Sequence, residues 1–256
     1  MLNLFKSVFT LVVLLSGLSC IAQHTQKKPT ICLLGGTPSS AKILDEIPDD
    51  LKDKYNFISF NRPGFGDTDN AVLTSNLLFD LARKAGLKQG DFAVIGISGG
   101  GPLAILLANK FKLKHCGVVS GMVPAKEYFA HADSTFTKPL MTSVLRGYDD
   151  FKKTVESFSN VEEILKQANS PVPKAIRACF DDLDFILSDK NFSSNIFRET
   201  KVNWWHGQFD KNVAMQSAQL FLERFKESDF KVIPNESHAI DARIYVAKLL
   251  DQWSTK

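Results

Sequence analysis

Short apolar runs bounded by Gly, Pro or Asn recur along this chain, at Thr30–Leu34, Phe57–Phe60, Phe92–Ile97, Gly117–Val119, Val202–Trp205 and Phe230–Ile233. Each has the length and near-continuous apolar character of a strand buried on both faces. Stretches with helical spacing separate them: Ser40–Ile47, Val72–Ala85, Pro102–Phe111 and Val213–Phe225, with Ala242–Trp253 closing the chain. This alternation constrains the fold more than any other feature. Successive parallel strands need crossover connections, which are right-handed and lay helices on the sheet. The expectation is an α/β fold, a mostly parallel sheet of about six strands covered by helices on both faces. A chain of 256 residues, 44% hydrophobic and 23% charged, can build one such core, and its composition excludes collagen-like or disordered classes.

The alternation breaks once. Between Pro124 and Lys201 the sequence is rich in Phe, Lys, Asp and Ser and shows helical spacing without a convincing strand. Helices are expected near Phe136–Leu145, Asp149–Ser157, Val161–Ala168 and Lys174–Leu187, with Ser170-Pro171-Val172-Pro173 as a breaker. The chain therefore divides into a core made of residues 23–124 and 201–256 and a helical insertion over 125–200. No internal repeat is visible.

Residues 1–22 have the pattern of a secretory signal peptide: a basic start at Lys6, the apolar run Val8–Leu18 and a small-residue exit at Cys20-Ile21-Ala22. The run is shorter than the roughly 20 residues of a spanning helix. An uncleaved anchor, or lipid attachment at Cys20, are the competing readings. Cleavage after Ala22 would leave a secreted or periplasmic protein without stable membrane insertion. It removes one Lys and no acid, leaving 30 basic against 28 acidic side chains. So small a surplus, without a basic block, excludes an electrostatic case for nucleic-acid binding. Cys32, Cys116 and Cys179 remain, widely spaced and odd in number. They match neither a disulfide framework nor a zinc site, and at least one thiol stays free.

Gly96-Ile97-Ser98-Gly99-Gly100 lies between an expected strand and an expected helix, the setting that a G-x-S-x-G nucleophile turn requires. Glycines two residues either side of Ser98 clear space around a strained turn. The next N–H, that of Gly99, would face a developing oxyanion at a helix N-terminus. A phosphate loop is the alternative, but Gly99-Gly100-Gly101 lacks the Lys-Ser/Thr of a P-loop and the G-x-G-x-x-G spacing of a dinucleotide fold. A serine nucleophile needs a base and a group that orients it. His238 follows the strand Phe230–Ile233 and Asp210 follows Val202–Trp205, so in a parallel sheet both loops reach the edge that carries Ser98. Asp181, Asp182, Asp184, Asp241 and Glu127 are rival acids, Glu127 the best of them. His24, His115, His131 and His206 fit the base poorly, and His206 reads as structural.

With these residues in view, the chain resembles the α/β-hydrolases, the fold family of esterases, lipases, haloperoxidase-like enzymes and aminopeptidases, over nearly all of residues 30–256. Besides Gly96–Gly100, Leu34-Gly35-Gly36-Thr37-Pro38 resembles the family's H-G-x-P-G loop and Asn61-Arg62-Pro63-Gly64-Phe65-Gly66 its D-R-P-G-x-G turn. His206-Gly207-Gln208-Phe209-Asp210-Lys211-Asn212-Val213 resembles H-G-x-x-D-x-x-V, and Ser237-His238 the terminal x-H. The resemblance implies Ser98 as nucleophile, His238 as base and Asp210 as orienting acid. It also implies Thr37 and Gly99 backbone N–H groups as the oxyanion hole, and the insertion as a cap that selects substrate. Gly35 and Asn61 depart from the family's His and Asp, and the usual opening hairpin is missing. Arg62 is expected to anchor a loop through a carboxylate. Phe129, Phe136, Phe151 and Phe158 are expected to fasten the cap or line an acyl pocket.

The expected activity is hydrolysis of a carboxylic ester of a small, partly apolar substrate through an acyl-enzyme, with no metal or organic cofactor implied. Two alternatives stand beside it. One is an aminopeptidase similar to proline iminopeptidases, which would need Glu127, Asp133, Glu156, Glu162 or Glu163 to hold a free amine. The other is a non-catalytic ligand-binding protein on the same scaffold. The oligomeric state is not legible.

Overall fold

The computed structural model describes residues 28–132, 137–192, 201–238 and 241–254. The expected signal peptide, and Phe136 and Asp133 in the insertion, lie outside the described residues. The elements run β1 (Thr30–Leu34), α1 (Asp49–Lys54), β2 (Asn56–Ile58), α2 (Ser75–Lys84), β3 (Phe92–Ile97), α3 (Gly100–Phe111) and β4 (Cys116–Val119). The insertion follows as α4 (Ala125–His131), α5 (Thr137–Arg146), α6 (Tyr148–Glu156), α7 (Val161–Leu165) and α8 (Val172–Leu187). The chain then closes with β5 (Val202–Gly207), α9 (Met215–Leu222), β6 (Ser228–Ile233) and α10 (Ala242–Ser254).

All six strands are parallel, in the order β2-β1-β3-β4-β5-β6. Residues alternate between faces along each strand, which divides the apolar core in two. Cys32, Leu34, Phe92 and Val94 join α2, α3, α9 and the insertion on one side. Ile31, Leu33, Ala93 and Ile95 join Ile47, Leu51 and α10 on the other. A strand with both faces covered gains by being apolar at every position, hence the continuous runs in the sequence. Because β1 lies between β2 and β3, the winding direction reverses there, and a crevice opens beyond the carboxyl ends of β1 and β3.

The six expected strands form, β1 and β3 with the expected bounds and the other four with one or both ends shifted by one or two residues. The helices differ more. Ser40–Ile47 is a short 3-10 turn over Ala41–Glu46, capped by the Ser40 hydroxyl, and α1 follows after Pro48. The expected start at Val72 moves to Ser75, because Thr74 takes up an extended conformation and its hydroxyl accepts from Leu77 N–H. Pro171 precedes α8, and Pro173 sits within its first turn, where a missing N–H costs nothing. Two insertion helices were expected to begin later than they do, and α4 was not expected at all.

Candidate active site

Ser98 directly follows β3 and lies in the left-handed region, at φ +49°, a conformation that costs a non-glycine residue on the order of 1–3 kcal/mol. Neighbouring glycines make the turn possible. A Cβ on Gly96 would stand 2.2 Å from the Gly100 carbonyl oxygen, and one on Gly100 would stand 2.3 Å from the Leu34 carbonyl oxygen. The turn is also tied down. Ser98 N–H donates to Val119 O at 3.0 Å, and its carbonyl accepts from Gly101 and Met122 at 2.9 and 3.0 Å.

Ser98 Oγ lies 2.9 Å from His238 Nε2, and His238 Nδ1 lies 2.9 Å from Asp210 Oδ2. An ionised carboxylate only accepts, so Nδ1 carries the proton and Nε2 is left to accept from the serine hydroxyl. The second Asp210 oxygen, Oδ1, accepts from the Asn212 and Val213 N–H groups, each at 2.9 Å. His206 stands beside this acid, 3.4 Å from Oδ2, but it has other partners. Trp204 Nε1–H donates to His206 Nδ1 at 3.2 Å, so Nε2 carries the proton and donates to Val213 O at 2.9 Å. Burial pushes the His206 imidazole below its ordinary pKa, against the pull of Asp210. It is a neutral, buried strut.

Thr37 and Gly99 come together across the crevice. A Cβ on Gly99 would sit 3.1 Å from Thr37 N, and both residues line the cavity that holds Ser98 and His238. The Thr37 loop is supported from behind. Arg62, 2% exposed, donates from Nη1 to Gly35 O at 3.1 Å and from Nη2 to Gly36 O at 2.8 Å. Its Nε faces Asp182 Oδ2 at 2.8 Å, and the same carboxylate oxygen accepts from Thr37 Oγ1 at 2.8 Å. Burial raises the Asp182 carboxyl above its ordinary range, opposed by the Arg62 charge and by the Thr37 and Arg62 hydrogen bonds.

The departures at Gly35 and Asn61 have structural replacements. Ser39 occupies the space a Gly35 side chain would need, its Oγ 2.2 Å from such a Cβ. Asn61 bridges Ala41 N–H, at 2.7 Å, and Asp67 Oδ1, at 2.9 Å. Glu127, the rival acid, is engaged elsewhere: it pairs with Arg224, whose Nη1 also donates to Phe192 O at 2.7 Å.

Above the relay lies a cavity of about 240 Å³. The insertion supplies an apolar wall that includes Leu140, Met141, Phe151, Val155, Phe158, Leu165 and Leu183, while Thr37, Thr137, Asn212 and His238 contribute polar groups. Cys179 also faces it, and burial pushes that thiol up. Cys32 and Cys116 are likewise free and buried, the Cys32 thiol pushed up to about 12. Phe129 packs on the core, and Trp204 is fully buried, as a packing residue should be.

The backbone arrangement matches known structures. The chain superposes on the 2-hydroxy-6-oxo-6-phenylhexa-2,4-dienoate hydrolase of Rhodococcus sp. strain RHA1 with a TM-score of 0.64, at 16% identity, over 90% of this chain and 91% of that one. This is an α/β-hydrolase fold. A thermophilic esterase from Thermogutta terrifontis gives 0.62 at 18% identity, over 90% of each chain. Epoxide hydrolases of the α/β-hydrolase superfamily, from metagenomes of hot environments, give 0.59 at 14% identity, over 87% and 89%. No protein-family model matches the sequence, and no curated protein matches it.

Ser98, Asp210, His238 and Gly99, expected from their motifs and positions, and Thr37, implied by the family resemblance, come together at one crevice. The carboxylate expected for Arg62 is that of Asp182, which the sequence did not single out as its partner. No short-range pattern connects positions 120 residues apart.

Proposed function

We propose that this α/β-hydrolase is a serine esterase that cleaves small carboxylic esters with an apolar acyl group through an acyl-enzyme. The observation that carries the reading is the unbroken relay Ser98–His238–Asp210, with both contacts at 2.9 Å, opening onto an apolar cavity. His238 Nε2 takes the proton as Ser98 Oγ attacks the ester carbonyl carbon. The carbonyl oxygen, now negative, accepts from the Thr37 and Gly99 N–H groups. Asp210 stays ionised and stabilises the imidazolium. His238 then returns the proton to the departing alcohol, activates a water against the acyl carbonyl, and the acid leaves with Ser98 restored.

The cavity favours a small acyl group, since about 240 Å³ falls below the ~300–1,000 Å³ usual for drug-sized ligands. The aminopeptidase alternative is weakened. Glu127 is paired with Arg224, Glu156, Glu162 and Glu163 are exposed, and no described residue that lines the cavity is acidic. A binding protein would gain nothing from a strained serine held against a histidine–carboxylate pair. We read the protein as secreted or periplasmic with residues 1–22 removed, acting on a small-molecule substrate without cofactor or nucleic acid.

The test is hydrolysis of p-nitrophenyl esters from acetate to octanoate beside alanyl and prolyl p-nitroanilides, with Ser98→Ala as control. The expected result is turnover of the shorter esters, little of the anilides, and none by the variant. Faster anilide cleavage would favour the peptidase, and tight ester binding without turnover the binding protein.

A further inference from the structure

The insertion reaches the catalytic machinery by a route other than the cavity wall. Asp182 projects from α8 into the space behind the β1 loop, where it is 2% exposed. One of its oxygens serves two partners: Oδ2 accepts Thr37 Oγ1–H and Arg62 Nε–H, each at 2.8 Å. Oδ1 is 3.1 Å from the same Arg62 nitrogen. The remaining guanidinium nitrogens hold the Gly35 and Gly36 carbonyls. Three consecutive residues of the loop, ending at Thr37, thus hang on one ion pair that joins the core to the insertion.

The geometry points to Asp182 as a positioning residue for the oxyanion hole, acting through the Thr37 hydroxyl and Arg62 to fix where the Thr37 N–H points. This inference rests on the serine-esterase reading above. The chemistry demands such a support. A hole donor stabilises the transition state only if its N–H is already aimed when negative charge develops, and misplacement by about 1 Å can cost ~10²-fold. Glycines at 35 and 36 make the loop pliable, and the Gly35 and Gly36 carbonyls and the Thr37 hydroxyl are the handles by which Arg62 and Asp182 hold it. Cys179 and Leu183 lie three residues before and one residue after Asp182 on α8, and both line the cavity. The wall that receives the acyl group and the anchor of the oxyanion donor therefore belong to the same helix.

Thr37→Val removes the hydroxyl tie while keeping the side-chain shape, the backbone N–H and the Arg62–Asp182 pair. The variant is compared with wild type per active site titrated with a fluorophosphonate. The expected result is a fall in kcat of about 10- to 100-fold with KM changed by less than about twofold. Affinity for an alkyl boronic acid, whose tetrahedral serine adduct uses the hole, should fall by the same factor, and affinity for the carboxylate product should hold. Thr37→Ser, which restores the hydroxyl, should recover most of the loss. Asp182→Asn is the harsher companion. If it stays folded, it should lower kcat and boronate affinity together, because a neutral amide leaves the buried Arg62 charge without its counter-ion and loosens its hold on the loop. A merely structural role would lower the titrated fraction or the Tm and leave both per-site values unchanged. Unchanged kcat and boronate affinity in Thr37→Val, with wild type active, would overturn the proposal alone. A wild type that neither takes the fluorophosphonate nor turns over esters would overturn the underlying reading and this inference with it.

Discussion

Replacing Asp210 by Asn separates the electrostatic role of the acid from its shape. Asp210 Oδ1 accepts two backbone N–H bonds, from Asn212 and Val213 at 2.9 Å each. In the variant those donors select which end of the amide faces them: the carbonyl oxygen stays on the backbone and the NH₂ takes the place of Oδ2. The group facing His238 Nδ1 is then a donor where an acceptor stood. The imidazole answers by moving its proton to Nε2, which can no longer accept from Ser98 Oγ. A relay in the wrong tautomer loses ~10⁴ in kcat, which at 1.36 kcal/mol per decade is about 5.4 kcal/mol of barrier. Folding should suffer far less, because the two backbone bonds survive and one charge-assisted bond is lost, at about 1.5–3 kcal/mol. The assay is kcat on p-nitrophenyl butyrate, with the folded fraction followed by circular dichroism. An Asn variant within tenfold of wild type would refute the assigned protonation of His238 and the role of Asp210 with it.

Gly96→Ala should fail for a backbone reason: its Cβ would meet the Gly100 carbonyl at 2.2 Å, and overpacking of that kind costs about 3 kcal/mol or more, visible as a drop in Tm or in soluble yield. Leu165→Ala, at a residue 4% exposed on the cavity wall, should cost ~2–5 kcal/mol and move the preferred ester toward longer acyl chains. His206 is held neutral in the fold, with its pKa lowered from 6.5. The unfolded chain therefore takes up this proton first, and stability should decline as pH falls from about 6.5 through the lowered folded value. Urea melts across that range, repeated on His206→Gln, should show a shallower slope in the variant. The described thiols should react with a disulfide reagent only as the protein unfolds, since all three are buried and the thiolate is the reactive form.

Patterns that repeat within a few residues were readable from the chain. Buried parallel strands must be apolar throughout, so Phe92–Ile97 announced β3, and the glycines flanking Ser98 announced the turn that only small residues permit. Asp210 and His238 followed from the requirement that strand ends converge on one edge. Weak local signals were harder. The helix Asp49–Lys54 buries only Leu51, so its sequence carries no apolar stripe. The helix Ala125–His131 buries Glu127 against Arg224, and a buried carboxylate breaks the pattern by which a packed face is recognised. The Asp182–Arg62–Thr37 cluster was the least legible part. Its members come from three segments far apart in the chain, and a buried ion pair is specified by tertiary packing alone.

The central claim is that Ser98 is an activated nucleophile. Intact-mass spectrometry of the purified mature protein after treatment with a fluorophosphonate tests it directly, with Ser98→Ala as control. The account predicts one adduct per chain, absent from the variant, and a base mass that also reports whether residues 1–22 have been removed. Folded wild-type protein with an unchanged mass would contradict it, leaving the α/β-hydrolase fold in place and the serine-esterase reading without support.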